Sequence, residues 1–140
     1  MFENINFFSE DINYQCKEEQ NLKHWIYTTI EAEQYIPGDI NIIFCSDEYL
    51  LNINKEYLKH HTLTDIITFD YVENKRVSGD IFISIERVQE NANAMKIDCD
   101  TELKRVMIHG VLHLCGYTDK NKEEKQSMRN KEDQYLHKIP

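Results

Sequence analysis

The sequence predicts an α+β domain, α/β-like in its order, in which a single layer of helices packs on a mixed sheet of about four strands. Three observations predict it. Short runs rich in β-branched and aromatic residues are apolar at nearly every position; longer segments repeat apolar residues at helical spacing; and the two kinds alternate before the chain becomes wholly helical. A length of 140 residues suits one domain over residues 1–140.

Ile5 to Phe8 reads as a weak first strand. Leu22, Trp25, Ile26, Thr29 and Ile30 then follow the i, i+3, i+4, i+7, i+8 spacing of a core-facing helix, which ends before the Pro37-Gly38 punctuation. Ile40 to Cys45, apolar at nearly every position, suits a strand covered on both faces. Ser46 caps the next helix, Asp47 and Glu48 complement its positive end, and Leu50, Ile53 and Tyr57 continue it. Ile66 to Tyr71 and Asp80 to Ile85 are strands, with Asn74-Lys75 and Ser78-Gly79 as turn-forming pairs of a hairpin between them. Val88, Ala92 and Met95 mark a third helix; Asp98, Asp100 and Thr101 start a fourth; Lys120 to Leu136 is a charged terminal helix.

Composition narrows the function classes. No stretch approaches the length of a membrane span and the first residues lack a basic, apolar leader, so a cytosolic protein without a membrane partner is expected. Four cysteines stand far apart with no C-x-x-C spacing, and no disulfide is expected. A net charge of −9 provides no global attraction to nucleic acid, so any RNA must be recognised locally or with a partner's help.

Residues 102–114 carry the chemistry. On a helical wheel Leu103, Val106, Met107, Gly110, Val111 and Leu114 cover one broad face, with Ile108 and Leu112 extending it. The one polar sector holds Glu102, Arg105, His109 and His113. An i, i+4 pair lies on one face one turn apart, so both imidazoles can reach one ion. Gly116 ends the helix and returns the chain, and Asp119 can complete a His₂Asp set with a fourth position open, the pattern of a catalytic zinc site. Two plainer readings stand beside this one: histidines so spaced are often just packed or exposed, and Asp119 can instead cap the terminal helix. Cys115 is a rival ligand that points away if the helix continues.

Residues 109–119, H-G-V-L-H-L-C-G-Y-T-D, resemble the H-G-x-L-H-L-x-G-Y-D-H signature of the YbeY-type endoribonucleases, metalloproteins of bacterial ribosomal RNA maturation. His109, Gly110, Leu112, His113, Leu114, Gly116 and Tyr117 match; Thr118 and Asp119 depart. Thr64 to Phe69 is similar to the family's T-D-V-L-S-F block, Gly79-Asp80-Ile81 to its G-D-I strand start, and Asn54, Glu56 and Tyr57 to its N-x-E-Y segment, so the resemblance runs over about residues 39–119. It implies that His109 and His113 take the places of the first two ligands of one divalent ion, zinc by preference, and that Asp119 falls where the family has its third histidine. A carboxylate there lowers the charge of the site and leaves a bound water less acidic. Leu58 stands where the family usually carries an arginine, so Lys59 or His60 is the candidate for contact with substrate, though neither grips phosphate as an arginine does.

The resemblance implies a metal-dependent endoribonuclease acting on single-stranded RNA in small-subunit rRNA maturation and ribosome quality control, a monomer working with small-subunit ribosomal proteins or a GTPase. The alternative is a non-catalytic, metal-stabilised ribosome assembly factor, which suits the acidic charge. Gly110 occupies the place of the glutamate in H-E-x-x-H metalloproteases and argues against peptide hydrolysis. No general base stands out, and Asp65 is as readily a strand-entry residue. Local charge discriminates between the two readings: Lys55, Lys59, His60, Arg87 or Arg105 gathered beside the metal would favour RNA cleavage, and an acidic rim would favour docking.

Overall fold

The computed structural model describes residues 2–139. The terminal residues of the expected domain, 1 and 140, lie outside the described residues. Strand β1 (Ile5–Ser9), helix α1 (Glu19–Ala32), β2 (Ile36–Cys45), α2 (Asp47–Tyr57), β3 (Ile66–Asp70), β4 (Arg76–Ser84), α3 (Ile85–Met95), α4 (Cys99–Leu114) and α5 (Lys122–Leu136) follow one another. The four strands form one mixed sheet in the order β1-β2-β4-β3, with β1 parallel to β2, β2 parallel to β4, and β3 antiparallel to β4. The expected α+β class and the mixed four-stranded sheet are both present.

Register explains which helix covers which face. Ile5, Ile40, Ile42, Phe44, Val77, Ile81 and Ile83 alternate onto one side and share the main core with Leu22, Trp25 and Ile26 of α1 and Met107, Val111 and Leu114 of α4. The intervening Cys45, Ile67 and Phe82 face the other way, against Leu50 and Ile53 of α2. The helical layer predicted from the sequence is the α1–α4 side, and α2 adds cover to the opposite face. That two-sided cover is why β2 reads as apolar at almost every position.

Local signals place the ends. Ser46, Ser84, Asp98 and Asn121 each accept a backbone N–H in the first turn of the helix they cap. Asn74 and Lys75 both take positive φ, at 51° and 67°, which turns the β3–β4 hairpin, with Glu73 and Arg76 exchanging backbone hydrogen bonds across it. Ser78 and Gly79 lie within β4 instead. Strand β2 starts at Ile36, earlier than the Pro37-Gly38 pair suggested, because a register shift between Pro37 and Ile40 absorbs the interruption.

Gly110 sets how closely α4 lies on the sheet. A Cβ built there would stand 2.9 Å from Ile66 Cδ1 and 3.0 Å from Ile81 Cγ2, atoms of a packed core. Gly110→Val is expected to destabilise the protein by about 1–3 kcal/mol through overpacking, lowering Tm by roughly 4–12 °C. An unchanged Tm in a thermal melt would show that the contact is not tight.

Candidate metal centre

Helix α4 crosses the core buried on most sides beyond its first turn, and Arg105, His109 and His113 of its polar sector stay partly open to solvent. From that sector His109 and His113 bring their Nε2 atoms to 2.9 Å of each other. After Leu114 the chain turns: Gly116 takes φ +102°, its N–H donates to the His113 carbonyl at 3.0 Å, and the Tyr117 N–H donates to the Leu112 carbonyl at 3.1 Å. This return brings Asp119 Oδ2 to 3.4 Å from His109 Nε2 and 3.6 Å from His113 Nε2. The edges of a tetrahedron of nitrogen and oxygen ligands around zinc are about 3.3 Å, and the triangle seen here brackets that value.

Both imidazoles are oriented from behind. His113 Nδ1 lies 3.0 Å from the Tyr117 carbonyl and His109 Nδ1 lies 2.6 Å from Glu132 Oε2. A carbonyl oxygen can only accept, so His113 carries its proton on Nδ1 and keeps the Nε2 lone pair. Glu132, whose other oxygen accepts from Arg105, accepts in the same way from His109 Nδ1 and favours the same tautomer there. Two lone pairs and a carboxylate oxygen therefore converge on one point, an arrangement completed by a cation; the three residues fit a divalent ion.

The surrounding charges act on the two rings in opposite directions. Burial disfavours a charged His109, yet the hydrogen bond and charge of Glu132, with Asp119 and Asp65 behind, outweigh it and raise the pKa above the ordinary 6.5. Burial and then the neighbouring His109 charge lower that of His113.

Glu132 is the functional residue that the sequence reading missed. Only 4% exposed on α5, it joins His109 to Arg105, whose guanidinium reaches Glu132 at 2.9 Å and Asp133 at 2.7 Å. Its signal was present as the spacing Met128, Glu132, Tyr135, a buried stripe in an otherwise charged helix.

A second anchor holds the return itself. Glu33, just past α1, accepts from the Tyr117 hydroxyl at 2.7 Å, from the Tyr135 hydroxyl and from Lys131 at 3.3 Å. Burial opposes ionisation of Glu33, but these three donors together hold its pKa below the usual value.

A cavity of about 430 Å³ opens beside His109, lined by Asp65, Ile66, Glu102, Arg105, Asp119, Lys125, Arg129 and Glu132 among others. Burial raises the pKa of Asp65. Glu102 is buried with Oε1 lacking a hydrogen-bond partner, and its pKa is raised by burial and by the charge of Asp65.

His109, His113 and Asp119 are brought together as the spacing suggested. The cap of α5 is Asn121, whose side chain accepts from the Glu124 N–H, so Asp119 is free of the capping role it could have had. Cys115 is buried in the apolar core, its thiol pushed up to about 12 by burial, and stands outside the ligand group. Lys59 and His60 are exposed at the end of α2; His60 lines a separate depression with Leu58 and Thr62, and neither residue lines the cavity at His109. Arg87 is paired with Asp47 and Glu90. Of the five groups expected to make a basic cleft only Arg105 is in place, and Lys125 and Arg129 supply the cavity's other positive charge.

An α+β domain that presents two histidines from one buried helix and a carboxylate from the following turn is a metal-binding protein built on a four-stranded sheet. The chain belongs to the YbeY family: the family model described as endoribonuclease YbeY matches residues 4–140. It is similar to proteins named endoribonuclease YbeY from Christiangramia forsetii, at 53% identity over 94% of this chain and 92% of the relative. The corresponding relative from Flavobacterium psychrophilum is 51% identical over 92% of each chain. Among solved structures, that of TM1509 from Thermotoga maritima superposes with a TM-score of 0.68 at 28% identity, covering 96% of this chain and 88% of that one.

Among the described residues no helix is long and apolar enough to cross a membrane.

Proposed function

We propose that this protein is a metal-dependent endoribonuclease that cuts single-stranded RNA in small-subunit rRNA maturation and ribosome quality control. It acts in the cytoplasm as a monomer, over residues 1–140 as one unit, with ribosomal proteins or a GTPase as partners. One divalent ion, zinc by donor chemistry, is held by His109, His113 and Asp119. The observation that carries this reading is the convergence of two Nε2 lone pairs and Asp119 Oδ2, each imidazole locked from its Nδ1 side.

An ion bound there supplies Lewis acidity toward a phosphate oxygen and makes a water more acidic. The chain's own groups do the rest. Glu132, itself fixed by Arg105, keeps the His109 ring from rotating, and the Tyr117 carbonyl does the same for His113. Arg105 and Arg129 offset the phosphate's charge within the cavity, and Ile66, Val106 and Met128 supply its apolar lining. Asp65, on the wall formed by the start of β3, is a carboxylate whose raised pKa suits it to receive a proton from the attacking water. Lys59 and His60, outside the cavity, are available to more distant parts of a long substrate.

The reading is tested on unstructured RNA. Chelation is expected to abolish cleavage and added zinc to restore it. Asp65→Asn is expected to keep the metal and lose roughly 10²–10⁴ in kcat. Cleavage indifferent to chelation would end the metal-ribonuclease assignment, and an Asp65→Asn variant with wild-type kcat would end the role given to Asp65.

A further inference from the structure

The terminal helix carries more than Glu132. Lys122, Lys125 and Arg129 are spaced i, i+3, i+7, which at about 100° per residue places them within one narrow face of α5. Lys120 precedes the Asn121 cap by one residue and extends the row. Lys120, Lys122, Lys125 and Arg129, with Gln126, line a shallow groove of about 490 Å³, and Lys125 and Arg129 also line the cavity at His109. The two depressions therefore meet along α5, and the row from Lys122 to Arg129 spans roughly 10 Å of helix.

Their charge is not taken up in direct pairs. Among the described residues none of these four side chains forms an ion pair, although the chain holds 25 acidic against 16 basic residues. Three nearby acids have other partners: Glu124 accepts from the Thr118 hydroxyl and the Lys120 N–H, while Glu132 and Asp133 hold Arg105. Arg129 acts on Glu102 and Asp133 only at longer range. Lys104 pairs with Asp100, Arg87 with Asp47 and Lys131 with Glu33, and the remaining cations without an ion pair among the described residues do not line this groove, so the row is set apart by its clustering. In a chain of net charge −9, four unpaired cations along one face opening into the metal cavity form a local polyanion site against an unfavourable global field.

We propose that Lys120, Lys122, Lys125 and Arg129 form a track that binds the sugar-phosphate backbone of single-stranded RNA and leads it along α5 into the cavity at His109. This rests on the ribonuclease reading above and adds the path by which the substrate arrives. A track of lysines contacts phosphates as point charges and reads no base, so it predicts binding that depends on strand length and salt but little on sequence.

The experiment measures equilibrium binding of a fluorescent single-stranded RNA to zinc-loaded protein across a salt series, with cleavage followed separately. The variant is Lys120→Gln/Lys122→Gln/Lys125→Gln; the control, Lys17→Gln/Lys96→Gln/Lys138→Gln, makes the same charge change at exposed positions off the groove. The track variant is expected to bind about tenfold more weakly, with a log K against log salt slope smaller by about 2, while keeping its zinc and its Tm. The control is expected to stay near wild type. Equal losses in both variants, unchanged affinity and slope in the track variant, or no RNA binding by the wild type would each overturn the track. So would equal competition by polyglutamate, which would reassign the groove to an acidic protein segment. Loss of binding in the track variant, with a wild type that binds RNA but never cuts it, would uphold the track and remove the nuclease reading alone.

Discussion

His113→Ala is expected to lose both the bound metal and RNA cleavage, metal content falling from about one ion per chain to near zero and cleavage by at least roughly 10³-fold, the several kcal/mol that a Lewis acid contributes at a phosphate. His113 Nε2 lies between His109 and Asp119, and no neighbouring donor among the described residues is placed to replace it. Asp119→Ala is a milder lesion. Its carboxylate is substantially exposed and enters from a turn, so the histidine pair retains part of the affinity. Metal analysis of the two variants beside wild type is the check. Full stoichiometry and affinity in His113→Ala would refute the site, and the same result in Asp119→Ala would remove only the carboxylate from it.

Glu132→Ala is expected to damage the protein twice. Removing one partner of a buried ion pair costs about 3–5 kcal/mol, and because Asp133 still holds the other guanidinium nitrogen, a value near the lower end is expected. Metal affinity should fall by roughly 10–100-fold, the usual consequence of deleting the carboxylate behind a ligating histidine. Glu132→Gln keeps an oxygen facing His109 Nδ1 and separates the effects: a folded protein with weakened zinc binding. Denaturant unfolding and competitive zinc titration measure the two losses. Zinc affinity at the wild-type level in both variants would show that Glu132 serves the fold alone.

The sequence disclosed the site's front and hid its back. His109, His113 and Asp119 are legible because one helix and the turn after it carry all three, and local rules govern both. Glu132 is 23 residues from its partner, in a helix where glutamate, aspartate and lysine alternate, and only the packing of α5 on α4 decides which carboxylate is taken out of water. The same division holds for the fold. Strands, caps and the β3–β4 turn follow from short-range signals, whereas the place of α2 on the far face of the sheet depends on register between β2, β3 and β4. Lys59 and His60 were drawn toward the substrate by the family pattern around Leu58, but the chain places them at an exposed helix end while α5 supplies Lys125 and Arg129.

The clasp at Glu33 gives the protein a sense of its own completeness. The residue sits in the first quarter of the chain, yet its donors Tyr117, Lys131 and Tyr135 arrive 84, 98 and 102 positions later. During synthesis the two histidines are translated before the acid that orients one of them and before all three donors that steady the return. A chain stopped before α5 thus possesses the histidine pair without its scaffold. Only a chain that extends through α5 closes the ring from α1 to α5, and with it the support behind His109.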